Sequence, residues 1–423
     1  MPPAVPLLAL GLFTMVTSEF LVGGLMPQMA EDLGASVTRI GHLITAFALA
    51  MALGGPAAAL AVRRLRPDRA LLALFAVFLL GNALAALAWS YPAVFVARVL
   101  TGAAAGGFFG VAVSTASRLV PAHLRGRAVG TALQGVMVGT LLGLPLSTLL
   151  GGWLGWRAAF AAVGVLTVAV AAATARYLPR LEPTAAGRGH GGGVDAGTGG
   201  GVDAGDGVDG AGIAKGTGAG EAAAFRDPRL WAAMATSTLI IGATFSAFSY
   251  FTPILTEVTG LPRELVPLLL FGYGAATVAG TAVVGRLASS HAVAAIVAGL
   301  ALNTVFLTGF ALFAASPVPA LIAMAGIGLV GITLNPAMVT RVQRVGGAGT
   351  MVNTAHSSFI TLGVVVGSWA GGEGIAAFGL RAPLWIGAAL ALLALLAMAP
   401  AVLASRRSGS PAGAAAVSAS GQI

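Results

Sequence analysis

The sequence predicts an all-α membrane protein, with twelve transmembrane helices arranged as two pseudo-symmetric six-helix bundles. Three observations support this prediction. Of the 423 residues, 57% are hydrophobic and only 9% are charged, whereas an average soluble domain has about 25% charged residues. The apolar residues form twelve segments that are long enough to cross a bilayer. The second half of the chain also repeats features of the first half.

Twelve apolar segments are predicted to be spans because a spanning helix needs about 20 mainly apolar residues. The first segment lacks the positively charged start of a cleavable signal, so we expect it to remain as a span. Clusters of charged or turn-forming residues bound the predicted spans, which are 6–29, 40–62, 70–90, 93–116, 127–150, 158–178, 230–254, 265–286, 292–314, 318–340, 351–373 and 381–403.

Arginine residues collect in alternate connections between the spans, such as 63–69 and 118–127, and in the C-terminal tail. Short basic loops are retained on the cytoplasmic side. We therefore expect a multi-pass protein of the plasma membrane with both termini in the cytoplasm. The net charge of +9 does not indicate nucleic-acid binding, because the arginines are scattered and form no basic domain. Without cysteine, disulfides and thiolate chemistry are excluded.

A glycine-rich stretch separates the two groups of six spans and contains GGGVDAG twice, at 191–197 and 199–205. The motif faintly resembles calcium-binding repeats, but two irregular copies cannot build a stacked coil. A disordered linker is the better interpretation. The predicted organisation is an N-terminal bundle (1–180), a cytoplasmic linker (181–228), a C-terminal bundle (229–405) and a disordered cytoplasmic tail (406–423).

The two halves share residue patterns with identical mutual spacing. The matching sets are Pro27, Glu31 and Gly34 with Pro253, Glu257 and Gly260, and Gly139, Gly143, Gly155, Arg157 and Ala158 with Gly363, Gly367, Gly379, Arg381 and Ala382. Because each half has an even number of spans, both copies enter the membrane from the same side. The halves are therefore predicted to be parallel repeats, as in transporters that alternate access about a central site.

Enzyme motifs are missing from the sequence. It has no phosphate-binding GxxxxGK[ST] loop, no HExxH and no paired-aspartate loop for magnesium-bound diphosphates. We therefore predict no enzymatic activity, no cofactor and no metal site, with transport driven by an ion gradient. A membrane enzyme or a receptor would fit the number of spans, but not the duplicated halves with a buried acid.

Glu19 is the one charged residue in the first thirty. It lies about 13 residues into the first span, roughly 20 Å deep at 1.5 Å per residue. An ionised carboxylate costs a few kcal/mol at this depth, so we expect it to face protein or water. A carboxyl that is neutral when buried and ionised when wetted can carry a proton. The alternative role is a structural hydrogen bond to a neighbouring helix.

Arg98 is the other charge deep in a span, about 6 residues or roughly 9 Å from the outer end of the fourth span. Its long side chain can cover most of the distance to Glu19. The two residues are therefore predicted to exchange partners as a proton arrives. The alternative is an arginine that anchors its helix by reaching to the outer interface.

Small residues follow one face of the fourth and the fifth spans. Four-residue spacing creates a groove in which a partner helix can approach closely. A proline at the end of the series predicts a kink beside a smooth helix face. Packing alone is the alternative explanation for each glycine. The residues are Gly102, Gly106, Gly130, Gly139, Gly143 and Pro145.

Several segments resemble the major facilitator superfamily, within it the twelve-span drug/proton antiporters, and most closely the chloramphenicol-resistance exporters of actinobacteria. These segments are 17–34, 98–107, 130–145, 155–160, 245–261 and 382–385. The resemblance implies the major facilitator fold. It also implies that Glu19 and Arg98 take part in proton coupling. In the fifth span, the glycine pattern corresponds to an antiporter signature.

Two departures from the family pattern affect these expectations. Leu144 separates Gly143 from Pro145, whereas the signature normally places proline directly after the last glycine. The predicted kink is therefore displaced by one residue. In the loop after the second span, the sequence VRRLRPDR lacks the usual acid of the gating motif, and Asp68 comes later. The sequence therefore does not predict the latch that this acid would form.

Aromatic residues recur on the seventh span, where Phe245, Phe248 and Phe251 are three residues apart and Tyr250 lies nearby. Such a stripe faces either lipid or a cavity. The helix break expected at Pro253 favours the cavity, so Phe248 and Tyr250 are candidate cargo-binding residues.

Asn335, Asn353 and His356 are polar residues in the tenth and eleventh spans. Each is a candidate cargo ligand, and an interhelical hydrogen bond is the alternative. We predict a monomeric, proton-coupled exporter of small amphiphilic drugs that resemble chloramphenicol. The alternative cargo is a sugar or an endogenous metabolite. The expected partners are this small molecule, protons and the lipid bilayer, without nucleic acid.

Overall fold

The structure is a computed structural model that describes residues 1–62, 65–180, 224–347 and 350–408. No β-strand occurs among these residues. The main helices are α1 (Ala4–Asp32), α2 (Val37–Val62), α3 (Pro67–Ala86), α4 (Tyr91–Arg118), α5 (Arg125–Leu154), α6 (Trp156–Tyr177), α7 (Pro228–Phe248), α8 (Val266–Phe313), α9 (Pro317–Val330), α10 (Asn335–Gly346), α11 (Thr350–Phe378), α12 (Ala382–Ala397) and α13 (Ala399–Ser408).

Within the described residues, twelve helical segments are long and apolar enough to cross a membrane, which confirms the predicted number of spans. Helix α8 supplies two of them, Arg263–Ala288 and His291–Phe313, because its direction changes at the non-helical residue His291 (φ −128°, ψ 39°). Helices α9 and α10 are joined by a short 3₁₀ turn and form one span, Pro317–Gly346.

The seventh span is shorter than the predicted 230–254. Helix α7 ends at Phe248, and a three-residue helix and the π-helical turn Ile254–Val258 follow. Pro253 has no N–H to donate to the carbonyl of Ser249, one turn earlier, which weakens the helix here. Helix α1 continues through the equivalent Pro27, so the proline alone does not account for the break. The expected interruption at Pro253 begins one turn before the proline.

The predicted repeat is visible in the backbone of the loops. Gly34 and Gly260, which end the first and seventh spans, have φ angles of +58° and +73°. Gly155 and Gly379 have φ angles of +81° and +82°. Other residues rarely adopt these angles, so glycine is required at each position. Matching residues in the two halves thus form the same turns.

Each half packs its helices in the same manner. In the N-terminal half, α1 packs against α5, and α2 against α4. In the C-terminal half, α7 packs against α11, and the two spans of α8 pack against α9 and α12. Most of the predicted linker and tail lies outside the described residues, as do Arg63 and Arg64 of the altered loop motif. Asp68 pairs with Arg66 at 3.1 Å within its own loop.

The two halves meet between α2 and α11 and between α5 and α8. Thr38 Oγ1 donates a hydrogen bond to the carbonyl of Gly372 at 3.0 Å. His42 Nε2 lies 3.1 Å from Glu373 Oε1. These contacts lie near the start of α2 and the end of α11, which we call the predicted outer end because the arginine pattern places it outside the cell.

Candidate functional site

Glu19 borders a cavity between the two halves. About 10 Å³ of the cavity is accessible to a water-sized molecule, so it is nearly closed in this conformation. Helices α1, α2 and α5 of the N-terminal half and the end of α7 provide its walls. The lining residues are Glu19, Phe20, Gly23, Ile44, Leu144, Phe245, Phe248 and Ser249. We call this space the Glu19 cavity. The acid of the first span thus faces protein, as its cost in lipid requires.

A seam between α1 and α5 fixes the position of Glu19. An added Cβ on Gly139 would lie 2.9 Å from Val16 Cβ, and one on Gly143 would lie 3.2 Å from Thr17 Cα. Gly135 is also packed directly against the backbone of Ala9. It has the same four-residue spacing but was not singled out from the sequence. Gly130, the first glycine of the signature, is exposed and has open space around it.

Arg98 is completely buried and connects α4 to α1. Its Nη1 donates to the carbonyl of Ser18 at 2.8 Å, and its Nη2 donates to the carbonyl of Glu19 at 3.1 Å. The guanidinium also lies 4.2 Å from the centre of the Phe47 ring, within the range of a cation–π interaction. Full burial does not fit an arginine that reaches to the interface.

The carboxylate of Glu19 is not the ion-pair partner of Arg98 in this conformation. Across the described part of the chain, no carboxylate oxygen lies within 4.0 Å of the Arg98 guanidinium nitrogens. The arginine instead binds the backbone of the residue that carries the acid. The two groups are therefore adjacent but not joined, which leaves each of them able to change partner.

Two further contacts stabilise the surroundings of Arg98. Gly102 of α4 lies against the backbone carbonyl of Phe47, so that α2 and α4 approach closely. Gly106, one turn later, is half-buried. Ser18 Oγ donates to Asn82 Oδ1 at 3.2 Å, which ties α3 to α1. Asn82 was missed in the sequence, although a lone amide in an apolar span was the available signal.

Phe248 forms part of the aromatic wall opposite Glu19. Its ring centre lies 5.5 Å from that of Phe20 and 5.2 Å from that of Tyr273, on which it stacks. Ser249, the next residue, is 3% exposed, and its Oγ has no hydrogen-bond partner among the described residues. The wall thus combines aromatic surface with one available hydroxyl. Ser249 was not identified from the sequence, because nothing in the pattern distinguishes it from neighbouring small residues.

Tyr250 occupies the junction of the halves, and is not part of the Glu19 cavity lining. It is fully buried, and its hydroxyl donates to the carbonyl of Ser368 at 2.7 Å on α11. The ring also packs against Gly41 of α2, where a side chain would collide with it. A residue proposed for cargo binding thus contacts helices of both halves.

The polar candidates of the tenth and eleventh spans are separate from the Glu19 cavity. Asn335 is exposed at the start of α10. Asn353 Oδ1 accepts a hydrogen bond from Gln343 Nε2 at 2.9 Å. His356 is 2% exposed, and its Nε2 lies 2.9 Å from Ser237 Oγ. His356 therefore makes the kind of interhelical hydrogen bond that we considered as the alternative.

The Glu19 cavity combines a carboxyl group, an aromatic wall and a serine hydroxyl. Such a site can take up or release a proton. Its lining matches an apolar group next to a hydrogen-bonding group, but in this conformation it has no room for a drug-sized molecule. No group of three potential metal ligands occurs in the described ranges.

Comparisons with known proteins agree with this architecture. A model of the Major Facilitator Superfamily matches residues 8–360. The chain is 32% identical over 402 residues to a chloramphenicol resistance protein of Streptomyces lividans, with 95% of this chain and 96% of that protein covered. It is also 30% identical to the inner membrane transport protein YdhP of Escherichia coli K12, with 88% of each chain covered.

Solved structures with this fold include a bacterial homologue of the lysosomal transporter Spinster in an inward-facing and occupied conformation. Its TM-score is 0.71 at 17% identity, and the comparison covers 95% of this chain and 96% of the other. A D-xylose–proton symporter gives a TM-score of 0.67 at 14% identity, over 93% and 96% of the two chains. The twelve spans, the family match and the relatives agree, and the chain belongs to the major facilitator superfamily of membrane transporters.

Proposed function

We propose that this protein exports small amphiphilic compounds in exchange for protons, and that its cargo includes antibiotics similar to chloramphenicol. The main support is the position of Glu19. Its carboxyl group borders the cavity between the halves and lies next to a fully buried arginine. The relationship to a chloramphenicol resistance protein supports the class of cargo.

Arg98 gives the proton a way to change the site. Its guanidinium binds the backbone carbonyl of Glu19, so a change of rotamer at Glu19 suffices to bring the carboxylate towards it. An ionised carboxylate gains from this approach, whereas a protonated carboxyl does not. Deprotonation therefore draws the Glu19 side chain away from the cavity, and protonation returns it. Cargo and proton compete for the same space.

The transport cycle follows from this competition. When the cavity opens outwards, a proton binds Glu19 and displaces the cargo. The halves then rock, and the proton leaves Glu19 when the cavity opens inwards. Cargo binds next. In this conformation the contacts between α2 and α11 join the halves at the predicted outer end. We assign the protein to the plasma membrane as a monomer with both termini in the cytoplasm.

The walls of the Glu19 cavity favour a neutral amphiphile. Phe20, Phe245 and Phe248 provide apolar surface, and Ser249 provides a hydroxyl. A sugar would require several hydrogen-bonding groups to replace its contacts with water. The alternative exporter of a sugar or an endogenous metabolite therefore has less support from this site than a drug exporter.

Resistance and proton movement together test this function. The wild-type protein, Glu19→Gln and the control Glu31→Gln are expressed in a chloramphenicol-sensitive host. Glu31 is an exposed glutamate on the same helix. We expect wild type and Glu31→Gln to raise tolerance and to release protons from acidified everted vesicles when drug is added. Glu19→Gln should do neither.

Resistance that survives Glu19→Gln would remove the coupling role of this residue. If the wild-type protein changes tolerance to none of a panel of neutral amphiphilic drugs, the metabolite alternative is favoured. Immunoblots of each variant in the membrane fraction establish that equal amounts of protein are compared.

A further inference from the structure

A second and larger cavity lies between the halves at the predicted outer end. About 440 Å³ of it is accessible to a water-sized molecule. The ends of α1 and α5 form one side, and the residues from the end of the seventh span to the start of α8 form the other. We call it the outer cavity. Its lining residues are Gly24, Pro27, Gln28, Thr148, Leu149, Gly152, Trp153, Thr252, Thr256, Arg263, Glu264, Val266 and Pro267.

Two lining residues have buried polar atoms without a partner. Thr252 is 6% exposed, and its Oγ1 has no hydrogen-bond partner in the part of the chain that the structure describes. Gln28 Oε1, on the opposite side, is also buried and unpartnered within those residues. Unsatisfied buried polar atoms are rare, and each is costly. A hydroxyl or amide N–H that reaches either atom from this cavity would give that atom a partner.

The outer cavity continues the direction of the Glu19 cavity. Leu144 lines the Glu19 cavity, and Thr148, one turn later on α5, lines the outer cavity. On α1, Gly23 lines the Glu19 cavity and Gly24 lines the outer cavity. At the partition, an added Cβ on Gly24 would lie 2.9 Å from Thr148 Cγ2 and 3.2 Å from the carbonyl of Leu144. Close packing of α1 and α5 thus separates two cavities that share these helices.

Size and charge define what the outer cavity can hold. Small-molecule sites usually enclose about 300–1,000 Å³, so a drug-sized molecule fits the outer cavity better than the Glu19 cavity in this conformation. Trp153, Leu149 and Pro267 provide apolar surface. Arg263 and Glu264 at its edge have opposite charges, so the lining has no net charge and suits a neutral ligand.

We propose that the outer cavity is a second cargo site, which binds a neutral amphiphile through its hydroxyl or amide groups after it leaves the Glu19 cavity. This inference rests on the proposed function. Because residues of both halves line it, an occupied outer cavity also stabilises the conformation in which α1 and α5 meet the end of the seventh span.

A cysteine reporter tests the site, since the natural chain contains no cysteine. Thr256→Cys places one thiol at the outer cavity. Ser316→Cys is the control, because Ser316 is exposed in the turn between the ninth and tenth spans, at the predicted outer end but outside the outer cavity. Each full-length variant is purified in lipid nanodiscs and reacted with a soluble maleimide. We expect chloramphenicol to slow the labelling of Thr256→Cys at least threefold and to leave that of Ser316→Cys unchanged.

A second variant distinguishes direct binding from a distant effect. Thr252→Val has nearly the same shape but no hydroxyl, and it lies outside the Glu19 cavity. In the Thr256→Cys background it should raise the half-protecting concentration of chloramphenicol about fivefold, the value of one hydrogen bond. Without ligand it should not lower the melting temperature, because it removes an unsatisfied buried group.

Several outcomes would overturn this site. Thr256→Cys that does not react shows that the outer cavity is closed, and reaction without protection shows that the drug does not bind there. Equal half-protecting concentrations with and without Thr252→Val would assign the protection to another site. Drug tolerance in cells separately reports the proposed function. Tolerance without protection removes only the second site, and protection without tolerance removes only the export.

Discussion

The two halves share a scaffold but place different chemistry at equivalent positions. The spacing that aligns Pro27 with Pro253 also aligns Glu19 with Phe245, and both of these residues line the same cavity. The N-terminal half therefore offers an acid where the C-terminal half offers an aromatic ring. We infer that duplication supplied the frame, and that proton handling and apolar contact were then divided between the halves.

The helices that carry these residues differ as well. Helix α1 continues through Pro27 to Asp32, whereas α7 stops at Phe248, and π-helical residues follow Pro253. The continuous helix holds Glu19 at a fixed height beside Arg98. The interrupted helix leaves the hydroxyl of Ser249 without a partner among the described residues and turns Tyr250 towards α11.

An exchange of the two equivalent residues is the strongest test of this comparison. The double variant Glu19→Phe with Phe245→Glu keeps the composition of the cavity but moves the acid to the other half. We expect complete loss of drug-dependent proton release in everted vesicles, because the carboxyl group no longer lies beside Arg98. The single variant Phe245→Leu should retain proton release. If the exchanged protein still couples drug to protons, the division between the halves is wrong.

Glycines form a seam between α1 and α5 and a second seam between α7 and α11. The two seams should differ in their tolerance of an added methyl group. At Gly367 an added Cβ would overlap the backbone of Gly242, while at Gly143 its nearest neighbours, Phe20 Cδ2 and Thr17 Cα, are 3.2 Å away. The overlap at Gly367 requires the two helices to move apart, whereas the contact at Gly143 requires a shift of only a few tenths of an ångström. We expect Gly367→Ala to lower the free energy of unfolding by about 2–3 kcal/mol and Gly143→Ala by about 1 kcal/mol.

Melting temperatures of the purified variants in detergent compare the two seams. Gly130→Ala provides the control, because nothing lies within 4 Å of its added Cβ. It should be neutral or stabilising by about 0.5–1 kcal/mol, since alanine is the better helix former. A larger loss at Gly143 than at Gly367 would contradict the expected order.

Tyr250→Phe removes one buried contact between the end of the seventh span and α11. The phenol donates to the carbonyl of Ser368, so its loss should lower the free energy of unfolding by about 1 kcal/mol. The exposed Tyr177 is a suitable control, and Tyr177→Phe should leave the melting temperature unchanged. Equal melting temperatures for the two variants would show that the contact does not stabilise this conformation.

Glu373→Gln should have the smallest effect. The carboxylate is half exposed, with a side-chain exposure of 50%, and it contacts His42 across the halves. Exposed ion pairs contribute about 0–1 kcal/mol, and the amide can still accept a hydrogen bond. We expect a change of less than about 0.5 kcal/mol in the free energy of unfolding, measured by thermal denaturation. A larger loss would mean that this pair, more than the buried contacts, holds the halves together at the predicted outer end.

Most of the fold could be predicted from the sequence, because spans and loops differ strongly in composition. Twelve spans and the repeated glycine turns follow from hydropathy and spacing alone. The seventh span was expected to break at Pro253, but its helix already ends at Phe248, whereas α1 continues through the equivalent Pro27. A hydropathy profile does not distinguish these two prolines, because the difference depends on how each helix is packed.

The site could be predicted only in part, for a related reason. Glu19 and Arg98 stand out because charges are rare in spans, but Ser249 and Asn82 acquire their roles from neighbours that are distant in sequence. Tyr250 and His356 were candidates for the cargo site, and in this conformation each makes a hydrogen bond to a neighbouring helix. A polar residue in a span indicates that some partner exists, and only the packing identifies that partner.

The sharp bend at His291 has a mechanical consequence. Only this one residue of α8 departs from helical geometry, so the eighth and ninth spans meet without an intervening loop. A loop can absorb displacement between the helices it joins, whereas a junction of one non-helical residue absorbs little. When the eighth span tilts against α5, we therefore expect the ninth span to move with it, so that the two spans shift as one rigid unit.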